Sequence, residues 1–218
     1  MWIGLVGSEM CIRDRALGTV LFIFSYSAAL LYEHATKGIA NEFFINVGSI
    51  GSYDLEFGWV VDGLSIMMYF VVGTVSSLVF IYATNYMQGE IRYTFFFTSL
   101  TLFAGSMLVL VSSPTLLQLL IGWELVGVCS YLLIGHYWEK KENSSAAMKA
   151  FITNKIADVG LMIGIIVLAL STKTLRISEI LYQSTHDYAD IKTVAYLGGV
   201  LLFIGAMGKS AQFPLHVW

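Results

Sequence analysis

Three successive apolar segments that are long enough to cross a bilayer each contain one ionisable residue away from their ends: Glu124, Asp158 and Lys209. Glu124 is the only formally charged residue between Tyr93 and Trp138. Insertion scales put the cost of a charge at the centre of a membrane helix at about 2.5–3.5 kcal/mol, and such a group normally faces a partner or a water-filled cavity. Two acids and a base in three successive spans therefore predict a path for protons or other cations.

The depth of these residues supports that prediction. At 1.5 Å per residue, Glu124 lies ~15 Å from the start of the fourth predicted helix, and Asp158 lies ~18 Å from the start of the fifth. The hydrocarbon core of a bilayer is ~30 Å thick. Both carboxylates are therefore expected near the middle of the membrane. Lys209 lies ~23 Å into its helix by the same measure.

Each residue also has a structural interpretation. Glu124 could be satisfied by neighbouring hydroxyl groups and serve helix packing. Asp158 follows Lys155 by three residues, so the two share a helix face and could form an ordinary ion pair. Lys209 could anchor its helix by extending its ammonium to the membrane boundary. His136 lies near the end of a span, where a polar boundary residue is usual.

The surroundings of Lys209 favour function over anchoring. Gly205 and Gly208 precede it, which predicts close approach of another backbone. Pro214 follows five residues later, so the helix is expected to break near Lys209. Interrupted membrane helices are tolerated where the freed backbone lines a cavity or a site, and they often belong to ion pathways.

Composition places these residues in a polytopic membrane protein. The 218 residues are 57% hydrophobic and 12% charged, whereas a soluble domain is about 25% charged. The net charge of −3 offers no basic face, so nucleic acid is excluded as a partner. No glycine-rich phosphate loop, cysteine cluster or paired-histidine motif is present in the sequence, and we expect no cofactor and no metal in this chain. Of the two cysteines, Cys129 is interpreted as a small buried hydrophobe.

The expected fold class is all-α, with about six transmembrane helices. The predicted spans are residues 16–32, 63–87, 93–111, 114–137, 146–170 and 194–211. Pro114 is placed at the first position of the fourth span, and Ser145 is predicted to cap the fifth. The connecting segment 34–61 is expected to be a polar loop with strand-like pieces, and segment 171–193 to hold a short surface helix.

We divide the chain into three predicted parts. Residues 1–15, which include GSEMCIRDR, resemble a translated artefact and are interpreted as a non-native leader. Residues 16–92 form N-terminal transmembrane helices with a loop, and residues 93–218 form an incomplete repeat that ends in a broken helix. The lysines of segment 139–145 place that loop in the cytoplasm or matrix, and Lys155 is expected to reach the same boundary.

Several motifs together resemble the antiporter-like L subunit of respiratory complex I, NADH:quinone oxidoreductase. They are GWELVGVCSYLLIGHYW (Gly122–Trp138), AAMKAFITNKIADVG (Ala146–Gly160), GAMGKSAQFPLHVW (Gly205–Trp218), VVDGLSIMMYFVVG and YMQGEIRYTFFF. The resemblance covers nearly everything after residue 16. It implies a proton-translocating membrane-arm subunit built from two inverted five-helix repeats, of which this chain is an N-terminal fragment lacking the second repeat and the lateral helix.

The resemblance also assigns roles to residues. It implies a proton relay of Glu124, Asp158 and Lys209, with Glu124 next to Lys209, and it places Lys155 where a basic residue, often arginine, is usual. The implied partners are other complex I membrane-arm subunits, the lipid bilayer and protons, without direct NADH binding. The implied location is the bacterial plasma membrane or the mitochondrial inner membrane. Two alternatives remain open: the large subunit of a multisubunit cation/proton antiporter, and an inert, truncated chimeric fragment.

Overall fold

The computed structural model describes residues 2–38, 40–51, 53–186 and 189–218, with side chains from residue 10 onward except at 189–191. Its helices are α1 (Trp2–Lys37), α2 (Gly63–Tyr86), α3 (Tyr93–Val111), α4 (Leu116–Ile134), α5 (Lys141–Thr172), α6 (Ile177–Thr185) and α7 (Ala189–Lys209); its strands are β1 (Asn41–Ile50) and β2 (Tyr53–Val61). The predicted helical membrane architecture is confirmed.

Five helices in the described part of the chain are long and apolar enough to cross a membrane. They are α1 from Met10 onward, α2, α3, α4 and α5. The sixth predicted span is also a helix, α7, which packs along α5. Helix α1 already begins at Trp2, so the predicted leader continues without interruption into the first span, and its non-native origin stays a prediction.

The segment between α1 and α2 contains the only strands in the described residues. Strands β1 and β2 pair antiparallel, from Asn41 opposite Val61 to Ile50 opposite Tyr53, with a register shift between Asn46 and Gly48. The strand-like pieces predicted here are therefore one β-hairpin outside the membrane helices. The predicted surface helix in segment 171–193 is likewise present as α6.

Two predicted helix starts differ from the structure. Thr115, rather than Pro114, begins the fourth span as its N-cap, since its side chain accepts a hydrogen bond from the Gln118 amide. Ser145 is not a cap, because α5 already begins at Lys141. Lysine and glutamate are good helix formers, and Glu142 in the first turn complements the helix dipole, so the predicted 139–145 loop becomes mostly helical.

Helices α5 and α7 approach closely because glycines lie at their contact. A Cβ atom at Gly208 would lie 2.2 Å from the Cβ of Ala157, and one at Gly205 would lie 2.7 Å from the Cβ of Leu161. Neither contact is sterically possible for a larger residue without movement of the helices. The close approach predicted from Gly205 and Gly208 is confirmed, and it draws the end of α7 against the middle of α5.

A polar clamp holds the hairpin against the helix ends. The Arg176 guanidinium forms a two-point ion pair with the Glu56 carboxylate, through Nε at 2.5 Å and a second nitrogen at 2.6 Å. The Gln118 side chain both accepts from the Gly58 amide at 2.8 Å and donates to the Gly58 carbonyl at 3.0 Å. The hairpin, the start of α4 and the segment before α6 therefore lie on one side of the helices.

The clamp leads to a prediction about pH. Hydrogen bonding to Arg176 lowers the pKa of Glu56, so this pair stabilises the fold above the ordinary glutamate pKa of about 4.3, and the stabilisation is lost as pH falls through the lower, folded-state pKa. Glu56→Gln should cost roughly 1.5–3 kcal/mol at neutral pH, the value of hydrogen bonds to charged groups. Thermal unfolding in detergent at several pH values measures the difference.

Glu33→Gln is the matched control, because it removes an exposed ion pair with Lys37 on the same side of the chain. Such pairs contribute little, so this variant should differ from the unsubstituted protein by less than about 0.5 kcal/mol. If the difference in stability between Glu56→Gln and the unsubstituted protein stayed the same in acid, the result would contradict the prediction.

Candidate functional site

The three ionisable residues predicted from the sequence lie on helices that pack in a row. Helix α4 carries Glu124, α5 carries Asp158 and α7 ends at Lys209. Helix α5 lies between the other two and contacts both. Because of this order, a residue on α5 can interact with partners on either side, which places α5 at the centre of the site.

Glu124 forms an ion pair with Lys155 of α5. The side chains of these residues are 29% and 35% exposed, so the pair lies partly inside the helix bundle. The expectation that Lys155 extends to the membrane boundary is wrong, because its ammonium turns inward to the carboxylate. The contact that the structure gives to Glu124 is thus with Lys155, where the resemblance implied Lys209.

Asp158 is the most buried member of the site. Its side chain is 3% exposed, accepts a hydrogen bond from the Trp123 indole at 2.7 Å, and lies 3.8 Å from the Lys155 ammonium. The ion pair predicted between Lys155 and Asp158 is confirmed. Lys155 therefore lies between two carboxylates, one on α4 and one on its own helix.

Lys209 approaches the same group from α7. Its ammonium lies 5.7 Å from the centre of the Trp123 ring, and a Cβ atom at Gly127 would lie 2.8 Å from it. The absence of a side chain at Gly127 makes room for the lysine. The Asp158 carboxylate attracts this ammonium and the Lys155 ammonium repels it. Within the described residues Lys209 has no hydrogen bond or direct ion pair, so its charge is held only by surrounding charges and the aromatic ring.

The last helix, α7, ends where the sequence predicted a break. Helix α7 stops at Lys209, Ala211 has a positive φ of 50°, and the chain then folds back so that the Trp218 indole donates to the Gly208 carbonyl at 2.9 Å. Lys209 is thus the last helical residue beside an irregular segment. The anchoring interpretation of Lys209 does not fit its contact with Trp123 of α4.

Sequence reasoning missed Trp123 as a member of the site. Its ring faces Lys209 and its N–H donates to Asp158, so it contacts both residues. Its position next to Glu124 was a signal that could have found it. His136 lies just past the end of α4, at the span end where a polar residue is usual, and there it is 4% exposed and packs against Phe95 and Phe96.

The arrangement can couple changes of charge. Two unit charges ~4 Å apart interact by about 4 kcal/mol at an effective dielectric constant near 20. Protonation of Glu124 would remove one attraction on Lys155 and leave Asp158 as its remaining carboxylate, which alters the field at Lys209. The site therefore brings charged groups from three helices within electrostatic range of one another.

The part of the chain that the structure describes contains no group of three His, Cys, Asp or Glu side chains placed to hold a metal ion. Cys129 is fully buried, as predicted, and both Cys11 and Cys129 are free thiols. The expectation that the chain carries no cofactor stays a prediction.

Fold and site together define a helical membrane protein with ionisable residues between its helices, and comparisons with known proteins identify its family. A family described as NADH:quinone oxidoreductase/Mrp antiporter, TM, matches residues 113–218. A second, described as NADH-ubiquinone oxidoreductase (complex I), chain 5 N-terminus, matches residues 48–97. The chain belongs to this family of complex I membrane subunits, in its chain 5 or L-subunit group.

Curated relatives agree with this assignment. The chain is 43% identical to NAD(P)H-quinone oxidoreductase chain 5 of Synechocystis sp. over 99% of its own length and 33% of the relative. It is 38% identical to the chloroplastic NAD(P)H-quinone oxidoreductase subunit 5 of Nymphaea alba over 98% of its own length and 31% of the relative. The chain thus spans about a third of the length of the curated relatives that it matches.

Two solved structures share the fold. One is the membrane-bound sulfane sulfur reductase, an archaeal respiratory membrane complex, with a TM-score of 0.77 and 17% identity over 94% of this chain and 41% of that one. The other is the Mrp complex from Dietzia sp., with a TM-score of 0.73 and 22% identity over 94% of this chain and 24% of that one. At these identities the likeness concerns the fold alone. The quinone oxidoreductase relatives are 38–43% identical to the chain, so the cation-antiporter alternative is not favoured.

Proposed function

We propose that this chain is a proton-translocating part of a membrane-bound NAD(P)H-quinone oxidoreductase, in which redox chemistry takes place on other subunits. The observation that carries the proposal is the row Glu124–Lys155–Asp158, with Lys209 from α7 beside it. Charged groups in membrane helices are costly and mark proton or ion pathways. Two acids and two bases drawn from three adjacent helices fit proton transfer better than helix packing.

In this mechanism Glu124 controls Lys155, and Lys209 carries the transferred proton. When Glu124 is ionised, it shares the Lys155 ammonium with Asp158. When Glu124 is protonated, Lys155 is free to pair with Asp158 alone, which weakens the attraction of Asp158 for the Lys209 ammonium. Lys209 then releases its proton more readily, because less negative charge stabilises its charged form. Asp158 is therefore the link between the two lysines.

The same proposal covers partners and location. Other membrane-arm subunits of the quinone oxidoreductase would surround the chain, lipid would cover its remaining apolar faces, and neither nucleic acid nor NADH would bind it directly. Its relatives come from a cyanobacterium and a chloroplast. We keep the bacterial plasma membrane as the proposed location, with the mitochondrial inner membrane as the alternative.

Glu124→Gln in the full-length subunit of the intact enzyme tests the proposal. The amide keeps the shape of the side chain but cannot be ionised, so the enzyme should assemble and reduce quinone while the number of protons translocated per NADH falls several-fold. Proton uptake into sealed vesicles, measured together with NADH oxidation, gives that ratio.

Glu139→Gln provides the control for the same chemical change outside the membrane. Glu139 pairs with Arg92 at the far end of α4 and is 58% exposed, so its replacement should leave the ratio unchanged. An unchanged ratio for Glu124→Gln at normal turnover would remove Glu124 from the path and support a packing role or the inert-fragment alternative.

A further inference from the structure

Asn154 of α5 is a buried polar residue that is not a member of the proposed relay. The packing of the helices does not require a polar side chain at this position. Asn154 is 8% exposed, and its side-chain oxygen Oδ1 is buried without a hydrogen-bond partner in the structure. A buried acceptor that lost its bonds to water and gained none is unfavourable, and native proteins rarely retain one without a reason. Asn154 lies one helical turn before Asp158, so the two residues share a face of α5.

The unpartnered oxygen points to the end of α7. It lies 3.7 Å from the position that a Cβ atom at Gly208 would occupy, and Gly208 itself packs against Ala157. Because Gly208 has no side chain, the α7 backbone approaches both Ala157 and the Asn154 oxygen closely. The next residue along that backbone is Lys209.

The residue after Gly208 carries a complementary group. The Lys209 ammonium has three hydrogen-bond donors, and within the described residues none of them has an acceptor. It lies over the Trp123 ring and next to Gly127, on α4. An unsatisfied acceptor thus lies beside Gly208, and the next residue carries an unsatisfied donor on a long, unbranched and flexible side chain.

We propose that the Oδ1 atom of Asn154 is a second binding position for the Lys209 ammonium, so that this side chain alternates between Trp123 on α4 and Asn154 on α5. The inference rests on the proposed function, because it gives the proton-carrying lysine two defined positions. Asn154 acts through Lys209 and is therefore a positioning residue. Gly127 provides the space at the first position, and Gly208 lets the α7 backbone approach Asn154 closely at the second.

The neutral amide suits this role better than a carboxylate would. An amide oxygen accepts a hydrogen bond from either the charged ammonium or the neutral amine of lysine. It therefore holds Lys209 before and after proton release, whereas a carboxylate would favour only the charged form. Movement between the two positions changes the distance of the lysine from Asp158, which lies on the same helix as Asn154.

Asn154→Leu in the full-length subunit of the intact enzyme tests the proposal. Replacing an unpaired buried acceptor by an apolar group of similar shape is neutral or stabilising for the fold, so the enzyme should assemble with unchanged thermal stability and quinone reduction. The proton-to-NADH ratio should fall several-fold, because Lys209 loses its second position. Thr172→Val, which alters another buried polar residue at the far end of α5, should leave the ratio unchanged.

If the leucine variant fails to assemble, a comparison of Asn154→Ser with Asn154→Ala tests the role of Asn154. The two side chains differ by one hydroxyl group, and the hydroxyl keeps an acceptor. The serine variant should pump severalfold better than the alanine variant at equal amounts of enzyme. Equal pumping by serine and alanine, or full pumping by the leucine variant, overturns the role of Asn154.

A parallel measurement on Lys209→Met separates this inference from the proposed function. If Lys209→Met loses pumping while the Asn154 variants pump normally, the relay stands and the second position is wrong. If Lys209→Met itself pumps normally, the relay fails, and the inference about Asn154 fails with it.

Discussion

A Lys209→Met enzyme should assemble, reduce quinone and lose most of its proton translocation. Methionine keeps much of the volume of lysine but removes the titratable group. Among the contacts that the structure describes, Lys209 is the one ionisable residue of α7 that lies near Trp123 and Asp158. The expected loss is larger than for any change elsewhere in the site, because the proton carrier itself is removed. Proton uptake into vesicles at matched NADH oxidation measures it.

Lys209→Arg distinguishes two roles for Lys209: a residue that carries a proton and a residue that supplies only a fixed charge. Guanidinium keeps the positive charge and remains protonated in proteins, so it cannot release a proton to the path. The arginine variant should therefore assemble yet translocate protons poorly. If it pumps as well as the unsubstituted enzyme, Lys209 supplies only a charge and the proton path lies elsewhere.

Lys155→Met should have the largest effect on stability. The change leaves Glu124 and Asp158 near each other without the cation that contacts both. Removal of one partner from a buried ion pair costs about 3–5 kcal/mol, and because Lys155 is 35% exposed we expect the lower end of that range. Thermal unfolding of the purified protein in detergent, and its amount in membranes, should both show the loss.

Two further variants define the cause of that loss. Lys155→Arg keeps a cation between the carboxylates and should retain most of the stability. Lys149→Met removes an exposed lysine from the same helix and should have little effect. If Lys155→Met were as stable as Lys149→Met, the two ion pairs of Lys155 would contribute nothing to the fold, and the proposed coupling between the carboxylates would lose its basis.

Periodicity and length in the sequence determined most of the helical architecture. Runs of about 20 apolar residues have few structures open to them in a bilayer other than a helix, since the backbone must satisfy its own hydrogen bonds there. The same reasoning placed Glu124, Asp158 and Lys209 inside these runs. Helix ends were less well determined, as Ser145 shows, because a polar residue near a boundary can lie inside the helix as well as cap it.

Partners within one helix were also predictable. Lys155 and Asp158 are three residues apart, and that spacing alone places them on one face. Their ion pair is found in the structure at 3.8 Å. Residue spacing fixes such contacts because the helix itself sets the distance between the side chains.

Partners across helices were decided only by the tertiary structure. The contact of Glu124 with Lys155 depends on how α4 and α5 are rotated about their axes, and the approach of Lys209 to Trp123 depends on how closely α7 packs on α5. Glycines such as Gly208 set that distance, while the rotation follows from packing along the whole length of each helix. The sequence thus determined which charges enter the membrane, and the packing of the helices decided which of them meet, since no residue spacing along one chain segment fixes the rotation of one helix against another.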